Sequence, residues 1–262
     1  MQTSANLARV NGIELGYQLF GKGKPLVLLH GGFGSVEMFG PNVDELAKHR
    51  QVIGVDLQSH GRSPAARRPM TWDAMADDIA ELIRQLGAEP AAIMGFSLGG
   101  GVALRTGLKH PHVVERLVLV STVFKNTGWY PEMTAAMRAM GPESAEPLKM
   151  SPMYADYQRI APDVDGWPVL VEQVTALVKT EYDWSAEIPR LEMPVMIVIG
   201  DADGLPPRHA VEFFELLGGG KRDASWDRCG MTHHRLAVLP GATHYDINLQ
   251  PALSATVIPF LS

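Results

Sequence analysis

Among its 262 residues the chain has a single cysteine, Cys229, so no internal disulfide can form and nothing calls for an oxidising compartment. It has no run of about 20 apolar residues, the length a membrane-crossing helix needs. The N-terminus, Met1-Gln2-Thr3-Ser4-Ala5-Asn6, has neither the basic head nor the apolar centre of a secretory leader. A basic excess is missing too: 23 Lys and Arg stand against 29 Asp and Glu, a formal charge of −6. That balance argues against nucleic acid and against anionic membrane surfaces, both of which recruit clustered lysine and arginine. Repeats, low-complexity tracts and interdomain linkers are absent as well. What is present, 46% hydrophobic residues with 20% charged, supports a sizeable core and excludes a disordered polymer. The expectation is a soluble, cytoplasmic protein with a small-molecule partner, self-association being left open.

The periodicity predicts an α/β architecture. Two short alternating stretches flank Asn11-Gly12 within Leu7–Phe20, a strong hairpin signal. Unbroken apolar runs follow at Leu26–Leu29, Val52–Leu57, Ala91–Phe96, Leu117–Val120, Val195–Ile199 and Leu236–Leu239, the pattern of strands buried on both faces. Helical spacing fills Trp72–Leu86, Leu98–Lys109 and His209–Leu217. The implied fold is a mostly parallel twisted sheet of about eight strands, with an antiparallel N-terminal hairpin and flanking helices. One interval breaks the alternation: 122–190 holds aromatics, methionines and seven prolines but no buried-strand run. It reads as a helical cap of short pieces inserted in a core of residues 1–121 and 191–262. The other reading is a satellite helical layer whose aromatics fill only its own core. Residues 218–231 read as a glycine-led surface loop.

Ligands of such sheets bind where strands deliver their C-terminal ends, which directs attention to the motifs there. Gly95-Phe96-Ser97-Leu98-Gly99 lies between a buried run and a helical segment, so the serine sits on a sharp strand-to-helix turn with its hydroxyl raised. A serine hydroxyl needs a base to become nucleophilic. Of nine histidines, His244 fits best, presented by the loop Pro240-Gly241-Ala242-Thr243 after the last strand. His233 and His234 precede that strand and are expected to face solvent. The imidazole needs a carboxylate partner to hold its tautomer. Asp201 and Asp203 both follow Val195–Ile199, and Asp203, further into the loop, is favoured. Donors for an oxyanion are expected from the Leu98 N–H and from Gly32 or Phe33 in His30-Gly31-Gly32-Phe33-Gly34. The same glycines fail the dinucleotide pattern, because Glu37 stands where its last glycine would be. Asp201-Ala202-Asp203-Gly204 lacks the remaining calcium ligands, and no spacing suggests zinc, so neither metal nor cofactor is expected.

These motifs, together with Asp56-Leu57-Gln58-Ser59-His60-Gly61-Arg62-Ser63, resemble those of α/β-hydrolase-fold serine hydrolases of the capped carboxylesterase type. The resemblance implies a triad Ser97–Asp203–His244 and cleavage of esters. It disfavours epoxide or carbon–halogen hydrolysis, where family members carry aspartate in place of Ser97. Phe33, Phe96, Trp129, Tyr130, Met133, Met137 and Met153 are the expected pocket wall, suiting small to medium, largely apolar substrates. Alternatives on the same triad are carbon–carbon bond hydrolysis, which an arginine in the pocket (Arg105, Arg138 or Arg159) would favour, and perhydrolase or cofactor-free haloperoxidase chemistry. A slow-turnover ligand receptor is the alternative of another class.

Overall fold

The computed structural model describes residues 6–262; the leader reading at residues 1–5 lies outside them. β1 (Asn6–Val10) and β2 (Ile13–Phe20) form the antiparallel hairpin. Its turn residues Asn11 and Gly12 both take positive φ, 46° and 86°, as the favoured two-residue turn demands. The remaining strands are β3 (Pro25–Leu29), β4 (Gln51–Asp56), β5 (Ala91–Phe96), β6 (Val114–Val120), β7 (Val195–Ala202) and β8 (Arg235–Thr243). The eight strands lie in the order β1-β2-β4-β3-β5-β6-β7-β8, parallel from β4 onward.

The helices are α1 (Pro41–Ala47), α2 (Trp72–Gln85), α3 (Leu98–Lys109), α4 (Pro131–Ala139), α5 (Pro152–Ile160), α6 (Trp167–Val178), α7 (Pro207–Leu216) and α8 (Pro251–Leu261). Alternate strand residues feed two apolar layers. Val27, Leu29 and Ile93 join one cluster with Ile79 of α2 and Val102 of α3. Leu26, Leu28 and Met94 join the other with Leu46 of α1 and Val257 of α8. A sheet covered on both faces has no polar side to show, which is why its strands read as continuous apolar runs.

Residues 122–190 hold α4, α5, α6 and several 3-10 turns, and among the described residues the only ladder contact there is the bridge Lys125–Asp183. The prolines that fragment this interval open its helices: Pro131 and Pro152 are first residues, and Pro168 is second in α6. Proline is favoured there because its missing N–H would lack an intrahelical acceptor anyway. Trp167, 1% exposed, ties the interval together: its Nε1–H donates to Ala145 O at 2.9 Å, and its ring lies 5.1 Å from Tyr154 and 6.0 Å from Phe33.

Two sequence expectations need correction. The segment Pro240–Thr243 is not a loop but the continuation of β8, with Thr243 registered against Ala202 after an irregularity at Gly200. Proline is tolerated because β8 is an edge strand that needs no outward N–H at that position. His233 is exposed, but His234 is buried, its Nδ1 accepting the Val195 N–H at 3.1 Å, so it opens β7 rather than facing water.

Removing Trp167 as W167A should lower the unfolding free energy by about 3–5 kcal/mol in urea titration, with W167F far milder. Burial holds the imidazoles of His30, His60, His209 and His234 below the ordinary range, His60 at about 3 and His209 and His234 at about 4. The native state keeps them neutral while the unfolded chain takes up protons below about 6.5, so their full contribution to stability is present above that value and lost on acidification. The fully buried His30 and His60 should contribute most to this loss. Urea unfolding at pH 7, 6 and 5 should show this decline; a flat profile would contradict the burial.

Candidate active site

The centre of the site is the turn from β5 into α3. Ser97 has φ 52° and ψ −116°, a conformation costly for a residue with a side chain. Its N–H donates to Val120 O at 2.9 Å, tying the turn to β6. A methyl group on Gly95 would strike the Gly99 carbonyl, and one on Gly99 would strike the carbonyls of Leu29 and His30. The two glycines therefore let strand, helix and neighbouring loop meet backbone to backbone. Leu98 opens α3, and its N–H has no protein acceptor among the described residues.

Three side chains remote in sequence form one hydrogen-bonded line. Ser97 Oγ lies 3.1 Å from His244 Nε2, and His244 Nδ1 lies 2.9 Å from Asp203 Oδ1. With Nδ1–H donating to the carboxylate, Nε2 is left to accept the serine proton. Asp203 also accepts from the N–H groups of Gly204 (2.7 Å) and Gly200 (3.0 Å) and from the Ser121 hydroxyl (2.5 Å). Burial pushes this carboxyl upward, but His244, Ser121 and the Gly200 amide outweigh it and hold it below its ordinary value. Asp201, by contrast, is exposed on the extended β7 and accepts the Gly241 N–H at 2.8 Å. The imidazole is flanked by aromatic rings, Phe96 at 5.3 Å and Trp129 edge-on at 5.4 Å.

The loop after β3 lies beside this line. A Cβ on Gly32 would sit 3.6 Å from Leu98 Cδ1, and Phe33 takes φ 61°. The N–H groups of Gly32 and Phe33 have no protein acceptor among the described residues. His30 fixes the loop from below: Nε2 accepts the Leu57 N–H at 3.0 Å, so Nδ1–H donates to Gly31 O at 2.7 Å. His60 packs 4.9 Å from it. Asp56, at the end of β4, accepts from the N–H groups of Val36 and Arg62, both at 2.9 Å. The Asp56–Ser63 stretch is thus a brace for the loop and does not reach the serine.

A cavity of about 220 Å³ opens over Ser97. Of the expected wall, Phe33, Trp129, Met133 and Met137 line it, with Gly32, Leu98 and His244 at its floor. Phe96, Tyr130 and Met153 do not. Phe96 is buried beneath the imidazole in the opposite apolar layer, Tyr130 offers its backbone N–H to Gly204 O at 3.1 Å, and Met153 packs on the core from α5. Sequence reasoning missed Ser121, Trp72, Val174, Val178 and Tyr182. Only Ser121, at the end of β6, carried a positional hint. Burial raises the Tyr182 phenol well above its ordinary value. Arg138 is at the cavity, whereas Arg105 is paired with Asp73 and Glu187, and Arg159 with Asp156 at the surface. Among the described residues no three His, Cys, Asp or Glu side chains gather as a metal would require, and no helix is long and apolar enough to cross a membrane.

Comparison with known proteins bears on the fold that carries this site. The sequence profile of the alpha/beta hydrolase fold family matches residues 24–146. The chain is 36% identical over 142 residues to the sn-1-specific diacylglycerol lipase ABHD11 of Danio rerio, covering 52% of this chain and 44% of that protein. It spans about half the length of the curated relatives it first matches. A thermophilic esterase from Thermogutta terrifontis superposes with TM-score 0.72 at 22% identity, covering 100% of this chain and 98% of that one. A meta-cleavage product hydrolase from Pseudomonas fluorescens IP01 (CumD) does so with TM-score 0.72 at 19% identity, covering 97% and 96%. With the profile match over residues 24–146, the eight-stranded topology and the whole-chain superpositions in agreement, the chain has the α/β-hydrolase fold.

Proposed function

We propose that this hydrolase-fold protein is a serine esterase acting on small to medium, largely apolar carboxylic esters. The reading rests on one observation above others: the hydrogen-bonded line from Ser97 through His244 to Asp203 ends at an apolar cavity. His244 takes the Ser97 proton as Oγ attacks the ester carbonyl, and the cation so formed is stabilised by the Asp203 carboxylate. The oxyanion is received by the Leu98 N–H and an N–H of Gly32 or Phe33. As the tetrahedral intermediate collapses, the carbonyl–alkoxy bond breaks and His244 returns the proton to the leaving alcohol. Water then attacks the acyl-enzyme, giving its proton to His244, and the acid departs as Ser97 regains its hydrogen. Residues 122–190 serve as the cap, contributing Trp129, Met133 and Met137 to the wall. The lipase and esterase names among the similar proteins lend support. Arg138 at the cavity and the meta-cleavage product hydrolase among the superposed structures favour carbon–carbon hydrolysis of a carboxylated dienone instead.

Turnover of 4-nitrophenyl esters and of aryl dienoates by purified protein tests the assignment. S97A should lose about 10⁴–10⁶-fold in kcat. D203N should cost about 10⁴-fold by leaving the wrong tautomer, with D201N far milder. Undiminished turnover in S97A would end the serine mechanism, and faster dienoate than ester cleavage would shift it to carbon–carbon bonds.

A further inference from the structure

The cavity wall changes character along its length. Met133 stands at the reacting end: a methyl built on Gly204 would lie 2.7 Å from Met133 Cε and 3.4 Å from His244 Cγ. Val174 stands there as well, with its Cγ1 3.7 Å from the equivalent point on Gly32. Each residue begins a stripe facing the cavity, Met133, Met137 and Arg138 along α4, and Val174, Val178 and Lys179 along α6. Both stripes run from apolar to cationic over five residues, a rise of about 7.5 Å along a helix axis. Arg138 is held by Glu181 at 2.7 Å. Among the described residues Lys179 has no ion pair or hydrogen bond, and no carboxylate side chain lines the cavity. Among the described residues the hydroxyl of Tyr182, which lines the same space, likewise has no hydrogen-bond partner.

We infer that Lys179, with Arg138 and the Tyr182 hydroxyl, receives a carboxylate at the far end of the substrate, about five or six bonds from the ester carbonyl. The inference rests on the esterase reading and narrows it to esters carrying a terminal carboxylate, such as half-esters of dicarboxylic acids. The length follows from geometry: an extended chain advances about 3.5 Å per three bonds, so six bonds match the rise of each stripe. The chemistry follows from the donors: the exposed Lys179 ammonium and the Tyr182 phenol border one apolar-walled space and can meet an anionic oxygen together. An apolar middle, set by Met137 and Val178, suits the methylenes between the two ends.

The test uses matched esters differing only in that charge. One pair is 4-nitrophenyl hydrogen adipate and 4-nitrophenyl methyl adipate, read as nitrophenol release. The other is 4-acetoxybutyrate and its methyl ester, read as acetate release, which places the carboxylate on the alcohol arm. In at least one pair the charged ester should be preferred about tenfold in kcat/KM, chiefly through KM. K179M should bring that ratio close to one, K179R should keep it, and 0.5 M salt should shrink it. A ratio of one or less in both pairs, or a preference that survives K179M, overturns the inference while leaving the esterase intact. If wild type turns over no ester faster than S97A, the esterase reading fails instead. Calorimetry with adipic acid monomethyl ester then decides the inference, equal affinity for wild type and K179M refuting it.

Discussion

Around Ser97, β5, α3 and the loop after β3 approach so closely that backbone meets backbone with no side chain between. Neither Gly95 nor Gly99 has room for a single methyl group, and the turn they enclose holds Ser97 in a conformation costing about 1–3 kcal/mol. That cost is offset by what the approach makes possible: the entirely buried β5, the packed α3 and the hydrogen bond from Ser97 to Val120. The same closeness brings the first N–H of α3 alongside the Gly32–Phe33 loop. Strain, donors and serine exposure are therefore one geometric fact.

A second constraint acts through the strand ends. Asp203 follows β7, His244 follows β8, and Ser121 follows β6, so three adjacent strands deliver the acceptor, the ring and the supporting hydroxyl. Four donors converge on the two carboxylate oxygens of Asp203. A carboxylate so saturated stays ionised despite burial and cannot rotate, which fixes the imidazole in turn. Asp201 has a different task two residues earlier. By accepting the Gly241 N–H it extends the β7–β8 pairing to the point where His244 leaves the sheet.

The sheet was legible in the sequence because fully buried strands leave a signal that needs no partner to interpret: a run of apolar residues bounded by turns. The elbow around Ser97 and the positions of Asp203 and His244 were legible because each follows such a run. What escaped depended on segments meeting in space. Pro240-Gly241 looked like a loop because its composition is that of a turn, yet edge-strand geometry accommodates both residues. His234 looked like one of a pair of surface histidines, yet one nitrogen is needed by the first amide of β7. The cavity wall was half readable: Trp129, Met133 and Met137 share the interval 122–190 with Val174 and Tyr182, whose local pattern speaks only of burial, while Trp72 arrives from α2. Phe96 shows the converse, since adjacency to Ser97 in sequence placed it on the opposite face of the sheet.

The two ends of the site are built by different means, and this bears on what each can determine. The donor end is locked from behind. His30 spends both ring nitrogens on backbone groups, Asp56 receives the amides of Val36 and Arg62, and Phe33 is pinned against Trp167. Groups held this firmly are oriented before any ligand arrives; under the proposed esterase reading they would stabilise developing charge without reorganising and be blind to the rest of the substrate. The far end is made of flexible methionines, exposed helix ends and a lysine with no partner among the described residues. Selectivity must then arise in the inserted interval, where a change of side chain alters the cavity without touching the strained turn. Among proteins sharing this sheet, the reacting end should therefore vary little while α4 and α6 are free to diverge.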